Sequence, residues 1–102
     1  MLTELEHHSN YVPWHYLRSL KGVKIEFAEI NKDGEVSVES IAKKITSKTK
    51  MIAVTHLWNV TGAILPIKEI TELAHSKGIP VLIDGCQGAP HLKLDMQDFC
   101  LL

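Results

Sequence analysis

Met51-Ile52-Ala53-Val54-Thr55 is nearly unbroken in its apolar character, as a strand covered on both faces should be. A second such run, Val81-Leu82-Ile83, opens after Pro80 and stops at Asp84-Gly85. Between them, Pro66 starts a helix whose apolar face is Ile67, Ile70, Leu73 and Ala74, and Gly78 closes it. Upstream, Ser37 can cap a short helix carrying Val38, Ile41, Ala42 and Ile45 on one side. Asn31-Lys32-Asp33-Gly34 is a turn. Before it, residues 23–30 alternate apolar and polar, the pattern of a strand with one wet face. Residues 9–20 read as a helix with Ser9 or Asn10 as N-cap, Pro13 in the first turn and Gly22 at the end. Trp14, Leu17 and Leu20 would form its buried stripe. Residues 86–102 have weak periodicity and read mostly as coil. The order is α-β-α-β-α-β, which predicts an α/β fold of alternating helices and strands with a mainly parallel sheet. Three strands make a thin sheet, short of core for a free-standing domain.

The totals exclude several classes. A chain of 102 residues allows one small domain. It is 45% hydrophobic and 23% charged, as soluble globular proteins are. The net charge of -1 gives no electrostatic reason for nucleic acid or an anionic membrane as partner. No apolar run approaches the roughly 20 residues needed to span a bilayer. Glu4 and Glu6 stand where a signal peptide would be basic, so a cytoplasmic protein is expected. Cys86 and Cys100 form neither a CxxC pair nor a disulfide framework, and free thiols are expected.

Ligands of open parallel sheets bind beyond the carboxyl ends of the strands. Two polar segments end strands there, His56-Leu57-Trp58-Asn59 and Asp84-Gly85-Cys86-Gln87. A third, Glu6-His7-His8-Ser9-Asn10, precedes the first helix. Asp84 is either a cap for the turn that follows it or a ligand for a cation. His7 and His8 could bind a metal with His56 or Asp84, although no HxxxH or HExxH spacing supports it. One exposed and one packed histidine is the plainer reading. His15 and His75 fall within helices, and His91 in a loop. Cys86 lacks an obvious base nearby, so a small buried hydrophobe is the more frequent fate. Trp14, Tyr16 and Trp58 do not alternate with basic residues, which argues against a stacking platform for nucleic acid.

Three stretches in series resemble one family. Glu6-His7-His8-Ser9-Asn10 with Val12-Pro13-Trp14 looks like the EHHSN-x-x-PW segment of SufS-type cysteine desulfurases and the related selenocysteine lyases. Residues 55–62 resemble their TH-x-SN-x-x-G loop, and residues 81–87 their VLVDGAQ strand. The resemblance implies a fold-type I enzyme dependent on pyridoxal 5'-phosphate (PLP), with residues 1–102 one partial large domain truncated at both ends. By the same resemblance, Asp84 would pair with the pyridinium nitrogen of PLP. His7 would stack on the ring and assist proton transfers. Gln87 would hydrogen-bond the phenolic oxygen, and Asn59 would lie near that oxygen and the substrate carboxylate. His8 is matched without a direct role.

The departures are as informative. The family holds PLP on the lysine of a Ser-Gly-His-Lys segment beyond the DGAQ strand, and these residues contain no such segment. Neither Cys86 nor Cys100 matches the family's nucleophilic cysteine, and Cys86 stands where alanine is usual. Residues 94–97 still follow the family, while Asp98-Phe99-Cys100-Leu101-Leu102 depart from it. The expected parent activity is conversion of L-cysteine to L-alanine and an enzyme persulfide for iron–sulfur cluster assembly. A homodimer and a sulfur-acceptor protein as partner are implied with it. A second expectation is a non-catalytic remnant or interaction module that pairs with a separately encoded remainder of a split enzyme. A small metal protein using the histidines is the third.

Overall fold

The computed structural model describes residues 1–97. Four short strands and four helices alternate: β1 Leu2–Thr3, α1 Val12–Lys21, β2 Phe27–Ala28, α2 Val38–Lys44, β3 Ile52–Thr55, α3 Ile67–Ser76, β4 Val81–Asp84 and α4 Gly88–His91. β1 pairs with β2 and β3 with β4, both in parallel. The expected α/β class with parallel strands is therefore present, but as two pairs of strands rather than one three-stranded sheet. The pairs adjoin through the chain start. The Met1 amino group donates to the Met51 carbonyl at 2.7 Å, and Ala53 N donates to the Met1 carbonyl at 2.9 Å. These two bonds have the spacing of a parallel ladder, so β1 runs beside β3.

The core lies under β3. Its four residues are all buried, and Ile52 and Val54 meet Ile41 of α2 and Ile67, Ile70 and Ala74 of α3. Leu5, Ala28, Val36, Leu65 and Ile79 complete it. Ser37 caps α2 as its sequence predicts: its hydroxyl accepts from Ser40 N at 3.1 Å. Gly22 ends α1 with φ 68°, a left-handed conformation that side chains disfavour.

Several expectations need correction. α1 begins at Val12, after a 3-10 turn over His8–Asn10, and its N-cap is Tyr11 with no side-chain bond. Ser9 and Asn10 are not caps because their side chains bond His7 and Glu6 instead. No residue of α1 is buried; Leu20 is 60% exposed and Leu17 36%. Periodicity marks an apolar face but does not supply the element that covers it.

Residues 23–30 pair only at Phe27–Ala28, because the partner strand β1 is itself two residues long. β4 is not covered on both faces: Leu82 is 45% exposed. Within the stretch read as coil, Gly88–His91 form a helical turn that includes His91. Asp98, Phe99, Cys100, Leu101 and Leu102 lie outside the described residues. Among the described residues, no helix is long and apolar enough to cross a membrane.

Candidate active site

Parallel pairing puts the carboxyl ends of β1, β3 and β4 on one edge, and each leads into one of the three polar segments. At the end of β1, Glu6 turns its carboxylate inward. Thr3 Oγ1 donates to Glu6 Oε1 at 2.6 Å, Asn10 Nδ2 to Oε2 at 2.6 Å, and the Thr55 backbone N–H to Oε1 at 3.0 Å. Trp14 Nε1 in turn donates to Asn10 Oδ1 at 3.1 Å. Burial pushes the Glu6 carboxyl above its ordinary value, and the bonds it accepts pull partly the other way. The spacing Glu6, Asn10, Pro13, Trp14 thus has a local physical account. The carboxylate holds the amide, the amide holds the indole, and Pro13 sets the first turn between them.

His7 is exposed within this bracket. Its Nδ1 accepts from Ser9 N at 3.2 Å and lies 2.9 Å from Ser9 Oγ. A backbone N–H can only donate, so the neutral ring carries its hydrogen on Nε2. His8 is also exposed, its ring centre 6.2 Å from that of His7. The reading of one packed and one exposed histidine does not hold, since the 3-10 turn presents both to solvent. Among the described residues, no three His, Cys, Asp or Glu side chains are grouped to hold a metal ion.

At the end of β3, His56 is buried, and burial lowers its pKa below the ordinary value. Its backbone N–H donates to the Asp84 carbonyl at 3.0 Å, binding the two strand ends together. The chain then forms a hairpin closed by the Leu57–Ile64 bridge, with Trp58 N donating to the Ala63 carbonyl at 2.8 Å. Asn59 lies exposed in the turn of that hairpin.

At the end of β4, Asp84 is half-buried, and its Oδ1 accepts from Cys86 N at 3.0 Å. The capping expectation is met. The thiol of Cys86 also bonds Asp84, and that bond and the charge behind it push the thiol above its ordinary value. Cys86 is exposed, not the buried hydrophobe expected, because the turn after β4 carries it outward. Gln87 is exposed immediately before α4.

Thr55 and Asp84 are register partners, so the segment bearing His7 and the strand end bearing Asp84 meet through Thr55. Asp84 and Gln87 lie three residues apart on the same turn, whereas Asn59 sits farther along, in its hairpin. Sequence reasoning placed Glu6 in a candidate segment without giving it a role, and did not single out Gly88. The signal for Glu6 was an acid followed four residues later by an amide and eight later by an indole, at the mouth of a helix.

Residues 1–101 match the aminotransferase class-V family, and the chain belongs to that family. Relatives that it matches include probable cysteine desulfurases. A probable cysteine desulfurase of Halalkalibacterium halodurans is 43% identical over 98 residues, which is 96% of this chain and 24% of that protein. One from Staphylococcus aureus is 45% identical over 96% of this chain and 24% of its own length. Among solved structures, the cysteine desulfurase CsdA of Escherichia coli superposes with a TM-score of 0.92 at 31% identity, covering 98% of this chain and 25% of that one. A C-DES variant with glycine covalently linked to its PLP cofactor superposes at 0.86 and 25% identity, over 96% of this chain and 27% of its own. The chain spans about a quarter of the length of the curated relatives it matches.

Proposed function

We propose that this chain supplies the cofactor-facing edge of a PLP-dependent cysteine desulfurase of the SufS type. The whole activity would convert L-cysteine to L-alanine and hand the sulfur, as a persulfide, to an acceptor protein for iron–sulfur assembly. The setting proposed is a cytoplasmic homodimer. One observation carries the reading: the strand-end acid Asp84 and the loop of His7 share one edge, joined through Thr55.

The donor set fits the cofactor. Asp84 offers a half-buried carboxylate already oriented by the Cys86 N–H, and Gln87 and Asn59 offer exposed carboxamides on the same side of the fold. When bound, PLP supplies an electron sink for the carbon atoms of an amino-acid substrate. In this proposal Asp84 holds a proton on the pyridine nitrogen by its negative charge. Gln87 donates an amide hydrogen to the phenolic oxygen, and Asn59 orients the substrate carboxylate nearby. His7 covers the ring face and exchanges a proton at Nε2, the nitrogen left available by the Ser9 bond to Nδ1.

The 102 residues on their own are proposed to give no turnover. They contain no Ser-Gly-His-Lys segment to hold the cofactor covalently, and the Cys86 thiol is held protonated rather than activated. The test is an absorbance titration of the purified chain with PLP, followed by borohydride reduction and mass spectrometry. Non-covalent binding that weakens in Asp84→Ala, with no reduced adduct and no alanine released from cysteine, is the expected result. An adduct fixed on one lysine, or alanine release above a PLP-only control, overturns the claim of no turnover. PLP binding unchanged by Asp84→Ala overturns the assignment of the site.

A further inference from the structure

We infer that Glu6 is a positioning residue, whose carboxylate fixes the His7 loop against the strand end that carries Asp84. The inference rests on the proposed role of His7. Its basis is a set of three donors converging on one half-buried carboxylate from three elements: Thr3 at the end of β1, Asn10 in the 3-10 turn and the Thr55 backbone at the end of β3. The bond to Asn10 closes residues 6–10 into a bracket with His7, His8 and Ser9 inside it. The bond to Thr55 docks that bracket on the residue whose register partner is Asp84. Among the described residues, the hydrogen bonds of the His7 ring and carbonyl go to Ser9 and Asn10, both within the bracket, and give no other tie to the sheet edge.

An acid is required here, rather than any polar group of similar size. Asn10 cannot turn its amide over, because Trp14 Nε1 already donates to its oxygen. It must present its amino group to Glu6, and the Thr55 N–H must donate as well. Both oxygens of residue 6 must therefore accept. In Glu6→Gln the new amino group faces either Asn10 Nδ2 or the Thr55 N–H, and one of those donors is left opposed. The nearby groups that could substitute do not: His7 is committed to Ser9, and His8 is exposed.

The experiment follows the ring nitrogens of His7 by long-range proton–nitrogen NMR in the labelled chain, with the Ile41, Ile52 and Ile70 methyl signals as a record of the core. In the wild type, His7 is expected as one form, with hydrogen on Nε2. In Glu6→Ala the ring shifts are expected to move to the averaged values of a free histidine, while the methyl signals keep their positions. Glu6→Gln carries the test if Glu6→Ala does not fold, with a smaller shift of the same sign expected. Unchanged His7 nitrogens in either folded variant overturn the inference, because a merely structural Glu6 would alter stability and leave the ring alone. The proposed role of His7 fails separately: PLP affinity identical in wild type and His7→Ala would remove that role, and the ring shifts would still judge Glu6.

Discussion

Gly88 lies against the imidazole of His56 so closely that a Cβ at residue 88 would stand 2.5 Å from Nδ1, 3.0 Å from Cγ and 3.3 Å from Cβ. His56 is buried at the end of β3 and its backbone is tied to Asp84, so the ring has little room to retreat. Only glycine lets α4 begin there.

Gly88→Ala is therefore expected to destabilise the fold by about 1–3 kcal/mol, the range for overpacking a filled interior. Urea unfolding followed by Trp58 fluorescence measures it. The double variant Gly88→Ala with His56→Ala should recover part of the loss, since the clash needs both partners. A loss unchanged by removing the ring would place the cause elsewhere.

His56 also makes stability depend on pH. Burial lowers its pKa in the folded chain below 6.5, while the unfolded chain keeps the ordinary value. Between the two values the unfolded state binds more protons, so stability rises with pH there and falls as the solution is acidified from about 6.5. The difference in stability between wild type and His56→Gln isolates the contribution of this ring. That difference, wild type minus variant, is expected to be flat above pH 7 and to fall below it, as the wild type alone loses stability on acidification. A flat difference throughout would mean that the burial of His56 has no energetic consequence.

Asn10 is 6% exposed and stands between a carboxylate and an indole. Asn10→Ala leaves Glu6 Oε2 and Trp14 Nε1 without this partner. A cost of about 1–3 kcal/mol is expected, set mainly by the charged group. Trp14 fluorescence should change at the same time, because its N–H would meet water instead of an amide. A cost near zero would show that solvent replaces both bonds freely.

The parts of this fold that were legible in the sequence are those fixed by local chemistry. Ile52–Thr55 read as a covered strand because apolar residues occupied both faces, and it is buried throughout. Ser37 and Gly22 announced a cap and a stop through the groups they carry or lack. Asp84 announced a turn, and the turn is closed by its own side chain. What depended on distant partners was not legible. Leu17 and Leu20 have helical spacing, but spacing does not say whether anything packs over them, and in this chain they are exposed. Leu82 sits in an apolar run yet faces outward for the same reason. Glu6 stood in a candidate segment, but its role was not legible because one of its three donors, the Thr55 N–H, is 49 residues away. A backbone group leaves no trace in residue identity.

Asp84 and Cys86 supply the last prediction. The carboxylate accepts from the thiol and adds its charge nearby, and both effects hold the thiol above its ordinary pKa. Asp84→Asn removes the charge and weakens the acceptor, so the thiol becomes more acidic and the thiolate fraction at neutral pH grows. Alkylation of Cys86 by iodoacetamide should then be faster at pH 7 in the variant, with the two rates converging well above the thiol pKa. Peptide mass spectrometry separates Cys86 from Cys100, so the rate belongs to one site. Equal rates at pH 7 would mean that Asp84 does not govern this thiol. The carboxylate would then be turned wholly toward the Cys86 N–H, and the strand end would leave the cysteine free to react.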